Sequence, residues 1–540
     1  MPARAPKVLF FSPYASWEYH TALEATWAHG LRLRGAEVRT VLCDGLSRAC
    51  DVYREGINPR TDRSCLSCQA RTAAQLCGYA TPYEWLGTYL PRDVRHGAEP
   101  WAAALPRDEL LGAEWNGMAV GAWAASSAHG QFRAAELRLE EPAVEAAVRD
   151  LLAGTVRMAA ATEVLLDEYR PDTLVLLNGR FFGHWAAVEL ARRRGLRFVA
   201  HERGLRADTV RFAEGRRIHE LAALRELWER WRDVPLDRAE IEEVTGILDE
   251  RRRGENHSRL SFSPPAQEPE QVRAALGLDG RPVCAVFNSS DDEVAAFPER
   301  RAGAFPDAAD FLPAVLDLAA ATPELQFVIR IHPNIQKEKA GTNRDALHHA
   351  LEIRNRAPAN TRVVLPREPF SSYTLVDLAQ VGIVYSSTIG LEMAAAGKPV
   401  LCAAQATYSH AGCVQPIEAP EQLGPGLQAA LAQGASAATA RRALRWAYRY
   451  FRECCIPFPL VHEEPIDHAN LTYSSLDALA EGRDPTLDRI CRYLLGQAPS
   501  VLPGPTAAER GRSPEEEARL VEAWFREVAR RGRGPAAAPA

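Results

Sequence analysis

A chain of 540 residues has room for about three to four average domains, or for two large α/β domains and a tail. Apolar residues make up 46% and charged residues 25%, the balance of a globular protein, which excludes a disordered chain, a collagen and a coiled coil. The 64 basic residues against 70 acidic ones leave a formal charge of −6, so nothing global points to a polyanion-binding surface or a nucleic-acid partner. No apolar run approaches the roughly 20 residues of a membrane helix. The opening MPARAPKVLFF has one short apolar run that leads into globular pattern, and it does not read as a secretory leader. Eleven cysteines, an odd number, favour reduced thiols over a disulfide framework.

Taken in chain order, short apolar runs alternate with helical periodicity. Val8–Phe11 reads as a buried strand, Thr21–Arg34 as an amphipathic helix and Glu37–Leu42 as the next strand, a βαβ start that marks a parallel sheet. From Asp44 to about Pro142 the chain is rich in Trp, Gly, Pro and Cys and has no clean period, so an irregular insertion is expected. A long helix at Ala143–Tyr169, a strand at Thr173–Leu177, a helix at Trp185–Arg194 and a strand at Arg197–Ala200 follow, then a charged helical stretch at Ile218–Leu248. Three prolines within Phe262–Glu270 mark a linker.

A second series has strands at Val283–Phe287, Gln326–Ile331, Thr361–Leu365, Gly382–Tyr385 and Pro399–Cys402 with helices between them. The expected fold class is therefore α/β: two doubly wound, Rossmann-like domains facing a cleft, and a helical tail. The expected boundaries are 1–265, 266–475 and 476–540, with Arg530–Ala540 disordered.

In doubly wound sheets ligands bind beyond the carboxyl ends of the strands. Tyr385 is followed by Ser386, Ser387, Thr388, Ile389, Gly390, Leu391 and Glu392, three hydroxyls at the entry to a helix. Free N–H groups there favour an anion, Gly390 would admit a ligand close to the backbone, and Glu392 could accept from ribose hydroxyls; an ordinary Ser/Thr cap is the competing explanation. Arg330 and His332 alternate onto one face of a strand end, and Pro333 fixes the turn, a pairing suited to phosphate. His201 and Glu202 at another strand end are acid/base candidates, against a plain charged turn. Asn178 and Arg180 follow Thr173–Leu177, and Asn288, Ser289, Ser290, Asp291 and Asp292 follow Val283–Phe287, so these too are cleft candidates. No GxGxxG or Walker pattern is present.

Cys43, Cys50, Cys65 and Cys68 form C-x6-C-x14-C-x2-C, with Cys77 nearby. Only one of these spacings fits the usual zinc pattern, and Cys43 ends a predicted buried strand. Packed cysteines are therefore preferred over a structural zinc, and no metal is assigned to the reacting site.

These residues carry a resemblance. Ser386–Pro399, SSTIGLEMAAAGKP, is similar to the donor-binding segment of bacterial capsule and surface-polysaccharide glycosyltransferases of the GT-B fold. Arg330–Pro333 resembles their HP motif. Asn178–Arg180 followed by His201–Gly204 resembles the first half of capsule polysaccharide biosynthesis proteins. Order and spacing fit over about residues 5–455. The resemblance implies a nucleotide-sugar-dependent transferase whose second domain holds the donor. His332, Ser386, Ser387 and Thr388 would bind phosphate and Glu392 the ribose. Donors in the HP-containing branch are often cytidine nucleotides, such as CMP-Kdo, CMP-sialate or CDP-glycerol. An inverting reaction needs a base, which Glu202 or His201 could supply. Protein groups hold the phosphate, so no cofactor is required.

The partners implied are a nucleotide-sugar and a glycan or glycolipid acceptor. The expected location is the cytoplasm, with peripheral contact at the inner membrane or with capsule assembly machinery. A nucleotide-sugar 2-epimerase of the same layout and a non-catalytic glycan- or nucleotide-binding partner are the alternatives. A zinc-dependent nucleic-acid module is disfavoured by charge.

Overall fold

The computed structural model describes residues 4–53, 60–255, 263–290, 294–297, 302–337, 341–342, 344–464, 468–502 and 504–531. The chain divides into two compact units, 1–220 with 453–503 and 221–452 with 504–540. Each is built on its own twisted sheet of mainly parallel strands, the α/β architecture expected.

The first unit runs through β1 (Lys7–Ser12), α1 (Glu18–Leu33), β2 (Glu37–Leu42), α2 (Asp62–Gly78), β3 (Glu84–Trp85), α3 (Arg92–Ala104), α4 (Val120–Phe132), α5 (Pro142–Tyr169), β4 (Thr173–Leu177), α6 (Phe182–Arg193), β5 (Arg197–Arg203) and β6 (Thr209–Glu214). Its seven-stranded sheet has the order Ile456–Pro457, β6, β5, β4, β1, β2, β3. Strands β3, β2, β1, β4 and β5 are parallel, and β6 and Ile456–Pro457 close the far edge antiparallel. The central strands are continuous apolar runs because helices cover both faces. Val8, Leu9, Phe10 and Phe11 are all buried, as are Leu174, Val175 and Leu176. The order reverses between β1 and β4, and that switch point is where such a sheet opens a crevice.

Several sequence expectations need correcting here. The stretch 44–142 is largely helical. Its period is hidden because α2 buries only Thr72 and Leu76, and because α3 carries Gly97 and Pro100. The strand expected to end at Ala200 continues to Arg203, since β6 folds back on it and pairs Glu202 with Arg211. His201 and Glu202 are therefore strand residues, not a turn.

The second unit opens with α7 (Leu221–Trp231) and α8 (Arg238–Arg252), two helices where one stretch was expected. Pro235 lies between them, and Asp237 starts α8 with a capping box to Glu240. A six-stranded, wholly parallel sheet follows, in the order Thr361–Val364, β8 (Gln326–Arg330), β7 (Val283–Phe287), Val381–Val384, Val400–Cys402, Gln415–Pro416. Its switch point lies between β7 and Val381–Val384.

The boundary falls at 220/221 rather than 265/266, because α7 and α8 pack with the second unit. Of the expected linker, Phe262 lies outside the described residues. The rest is pinned to the second unit: Ser372 N donates to Ser263 Oγ at 2.8 Å and Gln267 N to Thr374 Oγ1 at 2.7 Å. Nor is 476–540 a separate tail. Residues up to 503 return to the first unit, burying Leu487, Ile490 and Leu494 with α1 in one core. The helix Pro514–Arg531 packs into the second unit. Arg530 and Arg531 end that helix, and the remainder of the stretch expected to be disordered, 532–540, lies outside the described residues.

Candidate active site

In the second unit a cavity of about 520 Å³ opens at the switch point. Asn288, Arg330, His332, Ser387, Thr388 and Glu392 all line it, and Arg251, Ser263 and Tyr373, which the sequence did not single out, complete it. Six residues from three separate stretches of sequence thus converge as the strand-end rule predicts.

His332 leaves β8 and opens a short turn with Pro333. Its backbone N–H donates to Asn288 Oδ1 at 2.7 Å, and its Nδ1 accepts from Asn334 N at 3.2 Å. With Nδ1 accepting, the neutral ring carries its proton on Nε2 and is a hydrogen-bond donor in the wall. Arg330 is almost wholly buried. Its guanidinium donates to Leu365 O and, at 3.4 Å, to Pro366 O, while Nε has no partner. Burial pulls its pKa down to about 10, with Glu368 opposing, so it remains a cation at neutral pH. Among the described residues no carboxylate forms an ion pair with it.

The strand Val381–Val384 runs into Tyr385, Ser386, Ser387 and Thr388 ahead of the helix Ile389–Ala395. Thr388 is exposed, and its side chain makes no cap bond, which removes the plain capping explanation. The helix has only seven residues, so its dipole adds little and the hydroxyls of Ser387 and Thr388 matter more. Ser386 and Ser289 bond each other at 2.8 Å across the switch point. Asp291 and Asp292 lie outside the described residues.

Gly390 has a different purpose from the one expected. A Cβ there would stand 2.3 Å from Tyr408 Oη and 3.0 Å from Val384 Cγ2, so the missing side chain makes room for Tyr408 rather than for a ligand. Glu392 pairs with Arg251 on α8, through Nε at 3.0 Å and Nη2 at 2.9 Å. Burial disfavours the Arg251 charge, but Glu392 outweighs it and holds the guanidinium's pKa above its usual value. Glu392 therefore presents a fixed, neutralised carboxylate to the cavity.

In the first unit the carboxyl ends of β1, β4 and β5 gather a second group of polar side chains. His201 is fully buried. Its Nε2 meets Glu24 Oε1 at 2.7 Å, Ser12 Oγ donates to the other Glu24 oxygen, and Nδ1 has no partner. His201 is thus the buried partner of Glu24. Glu202 accepts from Asn178 Nδ2 at 2.9 Å and from Arg203 N at 3.0 Å, and lies 3.1 Å from His20 Nε2. Burial pushes its carboxyl up, but His20, Arg203 and Asn178 together hold it well below the usual range. A carboxylate so firmly ionised is a poor proton acceptor.

His20 is the residue the sequence reading missed. It lies in the first turn of α1, one helical turn before Glu24, and Arg203 Nη2 stands 3.3 Å from its Nε2. Burial lowers its pKa against the pull of Glu202, so the ring is neutral near pH 7. Nε2 lies between an acceptor, Glu202 Oε1, and a donor, Arg203 Nη2, while Nδ1 is buried with no protein partner. His20, Glu24, His184, Tyr14 and Ser12 line a recess of about 200 Å³. Asn178, at φ +30°, holds Arg180 N through its Oδ1 at 2.9 Å, and the Arg180 guanidinium lies over the Phe181 ring at 5.5 Å. The signal for His20 was available: two polar residues, His20 and Glu24, one turn apart on the apolar side of a helix.

No protein-family model and no curated protein matches the chain. Solved structures that match it distantly include a β-Kdo 2,4 transferase, KpsC, of Thermosulfurimonas dismutans, at 13% identity and a TM-score of 0.36, over 57% of this chain and 87% of that one. The UDP-GlcNAc 2-epimerase of Neisseria meningitidis, bound to UDP-GlcNAc, matches at 12% and 0.27 over 84% and 97%. The glycosyltransferase SnogD of Streptomyces nogalater matches at 14% and 0.25 over 84% and 97%. No helix among the described residues is long and apolar enough to cross a membrane.

Proposed function

We propose that the protein is a glycosyltransferase that moves a sugar from a nucleotide-activated donor onto a capsule or related surface polysaccharide. The observation that carries this reading is Arg330: a buried guanidinium without an ion-pair partner among the described residues, in the wall of a switch-point cavity with His332, Ser387 and Thr388. An uncompensated buried cation is costly, and a bound phosphate offsets that cost. His332 Nε2–H and the hydroxyls are further donors for the charge that develops on a leaving nucleotide. The Arg251–Glu392 pair offers both signs of charge to ribose hydroxyls. The resemblance of Arg330–Pro333 and Ser386–Pro399 to capsule transferases supports the same chemistry, with a cytidine nucleotide as the donor class.

In the first unit His20 is the base. Its Nδ1 takes the proton of the acceptor hydroxyl while Glu202 holds Nε2–H and stabilises the imidazolium that forms. Glu202 is thus a positioning residue, and His201 with Glu24 is its buried support.

The test is a thermal-shift screen of CMP, CDP, UDP, GDP and dTDP on the wild type and His332→Ala. A ligand at a hundred times its Kd adds about 2.7 kcal/mol to the stability of what it binds. One nucleotide is expected to raise the Tm. Loss of a charge-assisted bond of about 1.5–3 kcal/mol should weaken that nucleotide roughly 10- to 100-fold in the variant. No shift with any nucleotide would sink the donor-site assignment. With the donor in hand, nucleotide release that requires a glycan acceptor supports transfer. Release from the donor alone with inversion at C2 would establish the epimerase instead, and binding without turnover a non-catalytic partner.

A further inference from the structure

The insertion of the first unit, together with residues from the end of β1 and from α5 and α6, lines an open pocket that the proposed transfer chemistry does not use. It measures about 540 Å³, and Cys43, Cys50, Cys65 and Cys68 all line it. All eleven cysteines of the chain are unpaired. The fully buried ones lie elsewhere, Cys284, Cys402 and Cys413 in the second unit and Cys454, Cys455 and Cys491 in the first. Four thiols on the wall of one cavity are a different arrangement. They come from three places: Cys43 follows β2, Cys50 lies in the loop beyond it, and Cys65 and Cys68 stand one turn apart near the start of α2.

The sulfurs are also addressed by N–H donors. Gly45 N donates to Cys43 Sγ at 3.3 Å, and Leu46 N bears on the same sulfur. Val52 N bears on Cys50, and Gln69 Nε2 donates to Cys65 Sγ at 3.4 Å. Burial pushes the Cys43 thiol up to about 11 and the Cys50 thiol well above its usual value, and amides two or three residues beyond each cysteine, turned back onto its sulfur, oppose that push. Gly45 has φ +90°, and a Cβ on it would stand 3.3 Å from Cys65 Sγ, so glycine lets the loop pass close to α2. Arg60 completes the wall as a mostly buried cation. Among the described residues no three His, Cys, Asp or Glu side chains already share the position of a single ion. The four thiols line one pocket, and a polynuclear centre takes one thiolate on each metal atom rather than all of them on a single ion.

We propose that Cys43, Cys50, Cys65 and Cys68 hold an iron–sulfur cluster. Each thiol releases its proton to solvent as its sulfur bonds iron, and ferrous iron and sulfide are the co-reactants that build the cluster. The amides named above then donate to the cysteinyl sulfurs, and Arg60 offsets part of the negative charge. The centre is structural for the insertion. It ties α2, which buries only two of its side chains, to the edge of the sheet.

The full chain, purified without exposure to oxygen, should contain iron and acid-labile sulfide together and show the broad visible absorption of sulfide-to-iron charge transfer. Cys65→Ser/Cys68→Ser should lose both. Cys77→Ser should keep both, since Cys77 is exposed on the same helix and does not line the cavity. Should the double variant fail to fold, the wild type still decides the question. It would be stripped with chelator under reducing conditions and rebuilt with ferrous iron and sulfide. Recovery of the absorption supports the proposal. Wild type that carries zinc alone, or no metal before and after rebuilding, overturns it, and so does a double variant with undiminished iron.

Discussion

At the scale of single residues, the first unit divides roles between two side chains far apart in the sequence that meet in the fold. Burial keeps His20 a neutral imidazole against the pull of Glu202, whereas His20, Arg203 and Asn178 keep Glu202 an ionised carboxylate against burial. His20→Ala is expected to lower kcat by about 100- to 10,000-fold, the usual worth of a general base, and to leave nucleotide binding in the second unit unchanged. Glu202→Gln removes the anion that supports the imidazolium, so the acid limb of the kcat/KM profile should move to lower pH and the plateau should fall. Undiminished turnover in His20→Ala would refute the base assignment. Gly390 gives a sharper separation of packing from binding. Gly390→Ala drives a methyl group into Tyr408 Oη and should destabilise by about 1–3 kcal/mol. Adding Tyr408→Phe removes the clashing oxygen and should recover part of that loss in urea unfolding. A glycine needed for ligand approach would instead lose nucleotide affinity and recover nothing. Gly390 was misread in the sequence because small residues at strand ends look alike whether a ligand or a buried tyrosine claims the space.

At the scale of elements, what could be read in advance follows burial. The strands Thr173–Leu177 and Val283–Phe287 were placed to the residue, since a strand covered on both faces must be apolar throughout and its flanks need not be. The helices of the insertion were not read, because α2 is half-exposed and owes its start to the capping box of Thr61 and Ser64 rather than to an apolar stripe. The C-terminal helix Pro514–Arg531 was expected only as part of a helical tail at 476–540, not as part of the second unit, since its attachment depends on a few polar contacts. Fully buried Glu517 accepts from Arg445 Nε at 2.7 Å and from Leu236 N at 2.9 Å, and Trp524 Nε1 donates to Ala395 O at 3.2 Å at the end of the helix that bears Glu392. Glu517→Ala strands the Arg445 guanidinium and should cost about 3–5 kcal/mol, whereas Glu517→Gln keeps the acceptors and should cost less. Both are measurable as urea midpoints. Equal midpoints for the two variants would mean that packing, not the ion pair, holds the helix.

At the scale of the whole molecule, the chain leaves the first unit at 220 and returns to it at 453, so neither unit is a continuous segment. No linker motif announces such a return, because the contacts that define it, Phe458 and Ile490 against the α1 face, are ordinary apolar pairs far apart in sequence. Buried histidines of both units make the molecule sensitive to acid: burial lowers His29 in the first unit, and in the second it lowers His349 and takes His410 to about 4. Burial lowers the pKa of His20, and it lowers that of His184 to about 3, so both rings are neutral in the fold and bind protons near pH 6.5 once unfolded. The unfolded state therefore holds more protons as pH falls below about 6.5, and stability declines by up to roughly 1.4 kcal/mol per pH unit for each ring. Glu202 adds to the loss only below about pH 4.3, where its unfolded carboxyl takes a proton that the folded one refuses. Neither nitrogen of His184 has a hydrogen-bond partner, so His184→Phe removes a titrating group without breaking a bond. That variant should match or exceed the wild type in urea at neutral pH and lose less stability on acidification to about pH 5.5, by the share of one histidine. An unchanged pH slope in His184→Phe would show that this ring is not held neutral by the fold, and acid sensitivity would then come from the other buried histidines, His20 and His29 in the first unit and His349 and His410 in the second.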